Sequence, residues 1–561
     1  MDEFEEQPLT DVERRRRMRE AKRLATRRRG HRRLAVAICL LVGAISACCW
    51  ATGPLRSMLG GQSMRSPAES ESERTARTGA ARIPEAEPDV SSSTPRISAL
   101  VPVAPALARP TMGVLRNLPA LPINRKFAGI TLFRGNATRT YYGEGPVPKH
   151  PTILWKFPQK GIMTAMSAVA GVSKSWSGTG WTGQPVVAER GGRTEVIFGA
   201  YDKKIHFLDA KTGERVRPDF ATGDIIKGTV TLDPDGYPLL YSGSRDDYYH
   251  VIALDRDEPA QLWKLSASAT TNSVWNNDWD GNGLVVNDYL FEGGENSHFF
   301  IVKLNRGWDS DRRVTVDPKV VFDFPAFDDE LFAAIGDKEV SIENSPSMYK
   351  DRVYFSNSGG LVWGISVKGL SRGVEPKPFF RFWTGDDTDA SIVIDDEGML
   401  YVGSELQRHL PRAEEVGQIM KLNPYKPKDP LVWSIKVPPD NNDDNLGGVW
   451  ATPALHGNML YEPTHPGALL GIDKKTGAIV WRKSFSWHAW GSASVVDDVL
   501  IVPDTGGTIH AYDISSPRKN PPELWRVSVP SGAAIESTPV NWRGRIYVGC
   551  RDGKFYCFGD E

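Results

Sequence analysis

Cysteine is scarce: the 561-residue chain has five, and Cys39, Cys48 and Cys49 share one apolar stretch. A disulfide framework is excluded, and no Cys-x-x-Cys-His motif offers a haem attachment point. Cys550 and Cys557 straddle a hairpin near the C-terminus. The ten histidines do not cluster, and His206, His465, His488 and His510 read as strand or loop residues. No nucleophile–base set occurs, and no glycine-rich phosphate loop lies between a strand and a helix. Net charge is also missing. Lys plus Arg 68 against Asp plus Glu 69 leaves −1, so nothing global draws the chain to nucleic acid or acidic lipid.

What is present divides the chain. Residues 14–33 hold twelve Lys and Arg and a single Glu, while 34–51, LAVAICLLVGAISACCWA, hold no charge. Eighteen apolar or small residues are just enough to span a hydrocarbon core of roughly 30 Å. The basic flank stays in the cytoplasm under the positive-inside rule, which puts the rest of the chain outside it. Two anchors satisfy this pattern. One is an uncleaved signal-anchor; the other is a lipoprotein leader, with Ile45-Ser46-Ala47 preceding an acylated Cys48. The division is a basic cytoplasmic segment 1–33, a membrane segment 34–51, a linker 52–125 and a folded domain 126–561. The linker is rich in Ser, Pro, Glu and Arg, too polar to bury a core and expected to be disordered.

The folded part is written in repeats. Gly 53, Pro 40, Trp 17, Tyr 16 and Phe 21 suit a turn-rich all-β protein. A polar residue follows an apolar run at Asp209, Asp255, Asn305, Ser366, Asn423, Asp473, Asp513 and Asp560, at spacings of 40 to 61 residues. Units of this length built of short strands predict a β-propeller. The sixth unit predicts four strands, TPAL, MLYEP, ALLGI and AIVWRK, turned at Gly457-Asn458, His465-Pro466-Gly467 and Asp473–Gly477. Fourth strands are marked by Trp263, Phe322, Phe382, Trp433, Trp481 and Trp525, with Arg217 standing in for the first. The last unit stops after three strands, and TILWKF (152–157) is a fourth strand without a blade before it. An eight-bladed propeller closed by that N-terminal strand, with Trp155 as its wedge, is the expected fold.

Asp473-x-x-x-Gly477-x-x-x-Trp481 resembles the tryptophan-docking corner of the pyrroloquinoline quinone (PQQ) repeat. That repeat is found in eight-bladed quinoprotein dehydrogenases and in BamB-type outer-membrane assembly lipoproteins. The run from Ala253-x-Asp255 to Trp263 keeps the outline with Pro259 in place of Gly; the Asp209 and Ser366 units depart further. The resemblance covers roughly 140–561 and implies the fold. A dehydrogenase of this family would need PQQ in the channel, calcium beside it and an Asp base. The adjacent-cysteine disulfide that many such enzymes place over the quinone has no counterpart here, since Cys48-Cys49 lies in the membrane segment.

Aligning the units on the start of each first strand puts one residue per blade at one height: Thr182, Lys227, Asp280, Glu343, Asp389, Trp450, Trp490 and Glu536. First strands line the channel, so this set is expected to ring its mouth and bind a cation, an amine or another polar small molecule, or else to cap strand ends. DWDGNG (278–283) has the alternating Asp278, Asp280 and Asn282 of a calcium loop, but Tyr289 stands where its distal Glu belongs. DNNDDN (440–445) reads as a solvated loop. Trp176, Trp181, Trp279, Trp450, Trp487 and Trp490 are expected as exposed anchors on the mouth loops. The expected function is a membrane-tethered, non-enzymatic binding or scaffold protein of the envelope. Its partner would be a protein or polymer, assembly of envelope proteins would be a role implied by the resemblance, and it would need no cofactor. The alternative is a PQQ- and calcium-dependent dehydrogenase.

Overall fold

A computed structural model describes residues 121–561, except 170–171, 181–182 and 440–444. Segments 1–33 and 34–51, Cys48 and nearly all of the linker therefore lie outside the described residues. Among the described residues no helix is long and apolar enough to cross a membrane.

The described chain forms eight sheets of four core strands each, the blades of an all-β propeller. The sixth blade shows why the repeat folds this way. Its strands are Ala454–His456, Met459–Pro463, Ala468–Asp473 and Ile479–Ser484. Glycines at 457, 467 and 477, with φ of 55°, 78° and 75°, sit at the turns between them, where a Cβ would strain the backbone. Met459–Pro463 is buried throughout, because a middle strand faces a neighbouring blade on both sides. Fourth strands face solvent on one side, and Glu523–Ser528 in the seventh blade alternates accordingly.

The recurring Asp and Trp meet between blades. Asp473 Oδ1 accepts from the backbone N–H groups of Lys475 and Thr476, and Asp209 does the same for Lys211 and Thr212. Trp433, from the fifth blade, lays its ring over Gly477 of the sixth and donates from Nε1 to Lys474 O at 3.2 Å. A Cβ on Gly477 would fall 2.7 Å from that ring. Trp481 donates to Pro517 O and Trp525 to Pro148 O in the same manner. Arg217 does stand in: its Nη1 donates to Leu254 O of the second blade at 3.0 Å.

The eighth sheet consists of Val540–Trp542, Arg545–Gly549, Phe555–Gly559 and, outermost, Thr152–Phe157. Thr152 pairs with Gly559 and Phe157 with Phe555. Trp155 is buried, donates to Ala210 O at 3.1 Å and covers Gly213 of the first blade.

Two segments that precede the first blade fall outside the repeat. The chain from Gly129 to Glu144 touches the blades in order along the base of the channel. Gly129 pairs with Ala188 of the first blade, and Thr131 O accepts from Leu232 N of the second. Asn282 Oδ1 of the third accepts from Phe133 N. Ala137 O and Thr138 O accept from Met348 of the fourth and Ile394 of the fifth. The Tyr142 hydroxyl accepts from Leu455 N of the sixth, and its ring packs with Val495 of the seventh. Gly143 pairs with Asn541 of the eighth. Residues 129–144 thus form a basal plug that the repeat pattern does not mark. The second feature is a hairpin, Thr164–Val169 with Val172–Ser177, inserted before the first blade.

Candidate functional site

The channel wall is built in two layers, each supplied once per blade. At the start of the first strands lie Gln184, Thr229, Asn282, Ser345, Ser391, Thr452, Ser492 and Thr538, and hydrogen bonds link them from blade to blade. Gln184 N donates to Thr229 Oγ1, Asn282 N to Ser345 Oγ, Ser345 N to Ser391 Oγ, Ser391 N to Thr452 Oγ1 and Thr452 N to Ser492 Oγ, at 2.8–3.1 Å. Thr538 N reaches Gly183 O at 2.9 Å. Small hydroxyl residues suit this position because each must both fit a crowded axis and accept a neighbour's N–H.

Two residues earlier in each blade comes the ring aligned from the sequence. Lys227 pairs with Asp280 and lies 3.0 Å from Glu295 and 3.8 Å from Asp278; Arg245 pairs with Asp278. Ser341 donates to Glu343 at 2.8 Å, and Ser358 links that pair to Asp389. Trp450 and Trp490 have ring centroids 6.3 Å apart. Glu536 lies 3.9 Å from Arg551. Neighbouring members therefore come together; Thr182 lies outside the described residues. The seven described members are no more than 4% exposed, so they line the interior rather than rim the opening.

The Trp expectation needs correction in the same direction. Trp176, Trp279, Trp450 and Trp490 are buried, Trp181 is outside the described residues, and Trp487 alone of the described five is exposed. Trp279 packs against Tyr249 of the second blade and Phe300 of the third. The calcium loop is corrected too. Asn282 Oδ1 accepts from Phe133 N and from Arg139, and its amide donates to Thr229 O and Thr231, all at 2.7–3.0 Å. It is committed to the plug and the inner ring, while Asp278 and Asp280 converge with Glu295 instead. Burial pushes the Asp278 carboxyl up, against the pull of Arg245 and Lys227. Of DNNDDN, only Asn445 is described.

A further set escaped sequence reasoning. Tyr201, Arg245, Glu295, Glu405, His465 and Arg551 occupy the position two residues beyond the end of the common second-strand run. Aligning second strands as the first strands were aligned would have exposed them. Asp387, Asp389 and Glu405 bring three carboxylate oxygens within 4.8 Å of one another. Arg408 donates to Ser358 O and Glu339 O and lies 3.5 Å from Asp386 behind them. On the sixth and seventh blades the wall is aromatic. His465 lies 3.6 Å from Trp450 between ring centroids and 4.4 Å from His488, and its Nδ1 accepts from Trp490 Nε1 at 2.8 Å. One arc is thus carboxylate-rich and the other a stack of imidazole and indole. His206 and His510 sit on strands away from this wall, each between two carboxylates.

A family model described as outer membrane protein assembly factor BamB, built on the PQQ repeat, matches residues 350–560. The outer membrane protein assembly factor BamB of Francisella salina is 26% identical over 115 residues, 20% of this chain and 21% of that protein. The match thus spans about a fifth of that relative's length. Among solved structures, quinohemoprotein alcohol dehydrogenase ADHIIG from Pseudomonas putida HK5 superposes with a TM-score of 0.54 at 10% identity. It covers 78% of this chain and 82% of that one. A europium-containing methanol dehydrogenase gives 0.49 at 12% identity, over 77% and 98%. Fold and wall define the class: an eight-bladed all-β propeller with a two-layer lined channel. Within that class, the stretch 350–560 is similar to the BamB model of the PQQ repeat.

Proposed function

We propose that the protein is a non-enzymatic binding and scaffold propeller of the bacterial cell envelope. It is held by residues 34–51, with the N-terminus cytoplasmic and the propeller periplasmic or extracellular; an acylated Cys48 is the other anchor. Its partner is an envelope protein or polymer, in keeping with the BamB-like repeats of 350–560. In that compartment it meets no nucleic acid. The observation that carries the reading is the state of the channel wall. Lys227, Arg245 and Arg551 already meet its acids, and His465 and His488 already stack on its indoles. A wall so engaged holds a shape for recognition and leaves Trp487, exposed beside it, to make contact. The test is affinity capture with the full chain from envelope extracts, followed by Trp487→Ala with His488→Ala. Specific release of a captured envelope partner by the folded double variant supports the reading, and unchanged capture counts against it.

The dehydrogenase reading is favoured by one observation. Asp278, Asp280 and Glu295 do not suit calcium, because Lys227 sits within ion-pair distance of all three. Asp387, Asp389 and Glu405 do suit a hard cation, and Trp450 and Trp490 are the aromatic faces nearest in character to a quinone site. When bound, the quinone would supply the two-electron acceptor for alcohol oxidation. Addition of PQQ and calcium to the purified protein decides it: a stoichiometric quinone spectrum with dye-linked turnover establishes the enzyme, and neither appearing retires it.

A further inference from the structure

The hairpin Thr164–Val169 with Val172–Ser177 is paired only with itself among the described residues. Its register is anchored where Gly178 N donates to Met163 O at 2.9 Å. Antiparallel pairs alternate between bonded and non-bonded, so Ala165–Trp176 and Ser167–Lys174 exchange backbone bonds. Thr164, Met166 and Ala168 fall in the intervening pairs, and their N–H and C=O groups point out of the ribbon along its first strand. No other backbone meets them among the described residues.

The two faces of the ribbon differ. Trp176 and Ser167 are buried on the inner face, where Trp176 packs against Tyr201 and stacks on Arg245 at 4.5 Å. On the outer face Ile162 is 53% and Met166 55% exposed, with Thr164 and Ala168 exposed beside them. Soluble proteins shield such an edge with charge, proline or a bulge. Residues 162–169, IMTAMSAV, contain neither charge nor proline, and the pairing carries no register shift. An anchored, uncharged edge beside an apolar stripe is the arrangement that accepts a further strand.

We infer that the Thr164–Ala168 edge is a strand-accepting surface, on which a partner protein lays an uncharged extended segment with apolar side chains at alternate positions. The inference rests on the reading of the protein as a binding propeller and places one contact of that partner away from the channel wall. The chemistry selects the occupant. Outward N–H and C=O groups at every second residue match the spacing of another extended backbone, and Ile162 and Met166 supply the contact for alternate apolar side chains.

The full-length protein is titrated against a fluorescein-labelled octapeptide of alternating Thr and Val carrying a terminal Lys pair, with anisotropy as the readout. Saturable binding is expected in wild type. Met166→Pro and Ala168→Pro remove only outward N–H groups, so the ribbon keeps its own bonds and binding weakens at least about tenfold. Ser175→Pro, which alters the opposite edge in the same way, is expected to leave binding unchanged. Equal binding by wild type and Met166→Pro overturns the proposal, as do equal losses at both edges or no saturable binding in wild type. A wild-type dimer in sedimentation that Met166→Pro dissolves would make the occupant a second copy and also overturn it. Circular dichroism confirms that each variant folds. The Trp487→Ala with His488→Ala experiment reads the channel side separately, so failure at the edge is distinguishable from failure of the scaffold reading.

Discussion

The plug and the channel wall are built by opposite means. At the base a single segment, Gly129–Glu144, meets the blades in sequence, and its contacts run largely to backbone. Arg134 donates to Thr452 O and Pro453 O at 2.6 and 2.8 Å; Arg139 donates to Pro346 O, Phe133 O and Asn282 O at 2.5–3.2 Å. Both guanidiniums are fully buried, and burial lowers Arg134 to about 10 and Arg139 to about 9. Along the wall each blade contributes one side chain, and chemistry changes from blade to blade. A wall bonded through backbone carbonyls tolerates exchange of the blade side chains around it. A wall of paired charges and stacked rings does not.

The largest test of this contrast replaces residues 129–144 with a Gly/Ser linker of equal length. If the segment ties the blades together, the loss is on the order of the whole stability of a domain, about 5–15 kcal/mol, seen as a broadened, early thermal transition. A cooperative transition at the wild-type temperature would mean that the base is decoration. Arg139→Ala is smaller and sharper. It leaves buried carbonyls without a donor, each costing about 1–3 kcal/mol, so urea denaturation is expected to show about 3–5 kcal/mol lost.

At the channel wall the expectation changes in kind. Lys227→Ala removes the cation that sits among Asp278, Asp280 and Glu295, and carboxylates stripped of a counter-ion should recruit one from solution. The variant is expected to melt lower than wild type in a chelator and to regain most of the loss in millimolar calcium, whereas wild type is indifferent. Calorimetry with and without calcium checks it; equal calcium response in both proteins defeats the idea.

The smallest effect concerns the corner between blades. Hydrogen bonds from Arg518 and Thr476 hold the Asp473 carboxyl down at about 2. Its folded-state value lies below that of the unfolded chain, so its contribution is present above about pH 4 and fades as pH falls towards 2. Asp473→Asn should therefore be less stable than wild type at neutral pH and should converge with it near pH 2. A gap that stays constant with pH would show that charge plays no part at this corner.

Much of the wall was legible because the repeat is local. Apolar runs, a polar turn residue and, in most units, an aromatic residue after it mark the blades, so aligning first-strand starts brought Lys227, Asp280, Glu343, Asp389, Trp450, Trp490 and Glu536 to one level. What misled was side-chain direction. Asp278, Asp280 and Asn282 alternate as calcium ligands do, yet Asn282 is claimed by Phe133 and Arg139 from a segment almost 150 residues earlier. The Trp residues of the loops read as exposed for the same reason, since burial depends on which blade lies opposite.

The sequence by itself determined the blade: the period, the polar corner with its aromatic residue and the four-strand unit are short-range patterns written along the chain. Tertiary structure alone decided what fills the axis. The plug carries no repeat signature, and its arginines find their acceptors on the third, fourth and sixth blades, at separations of up to 319 residues. A buried guanidinium must find oxygens wherever the closed ring presents them, and only closure of that ring puts those oxygens within reach.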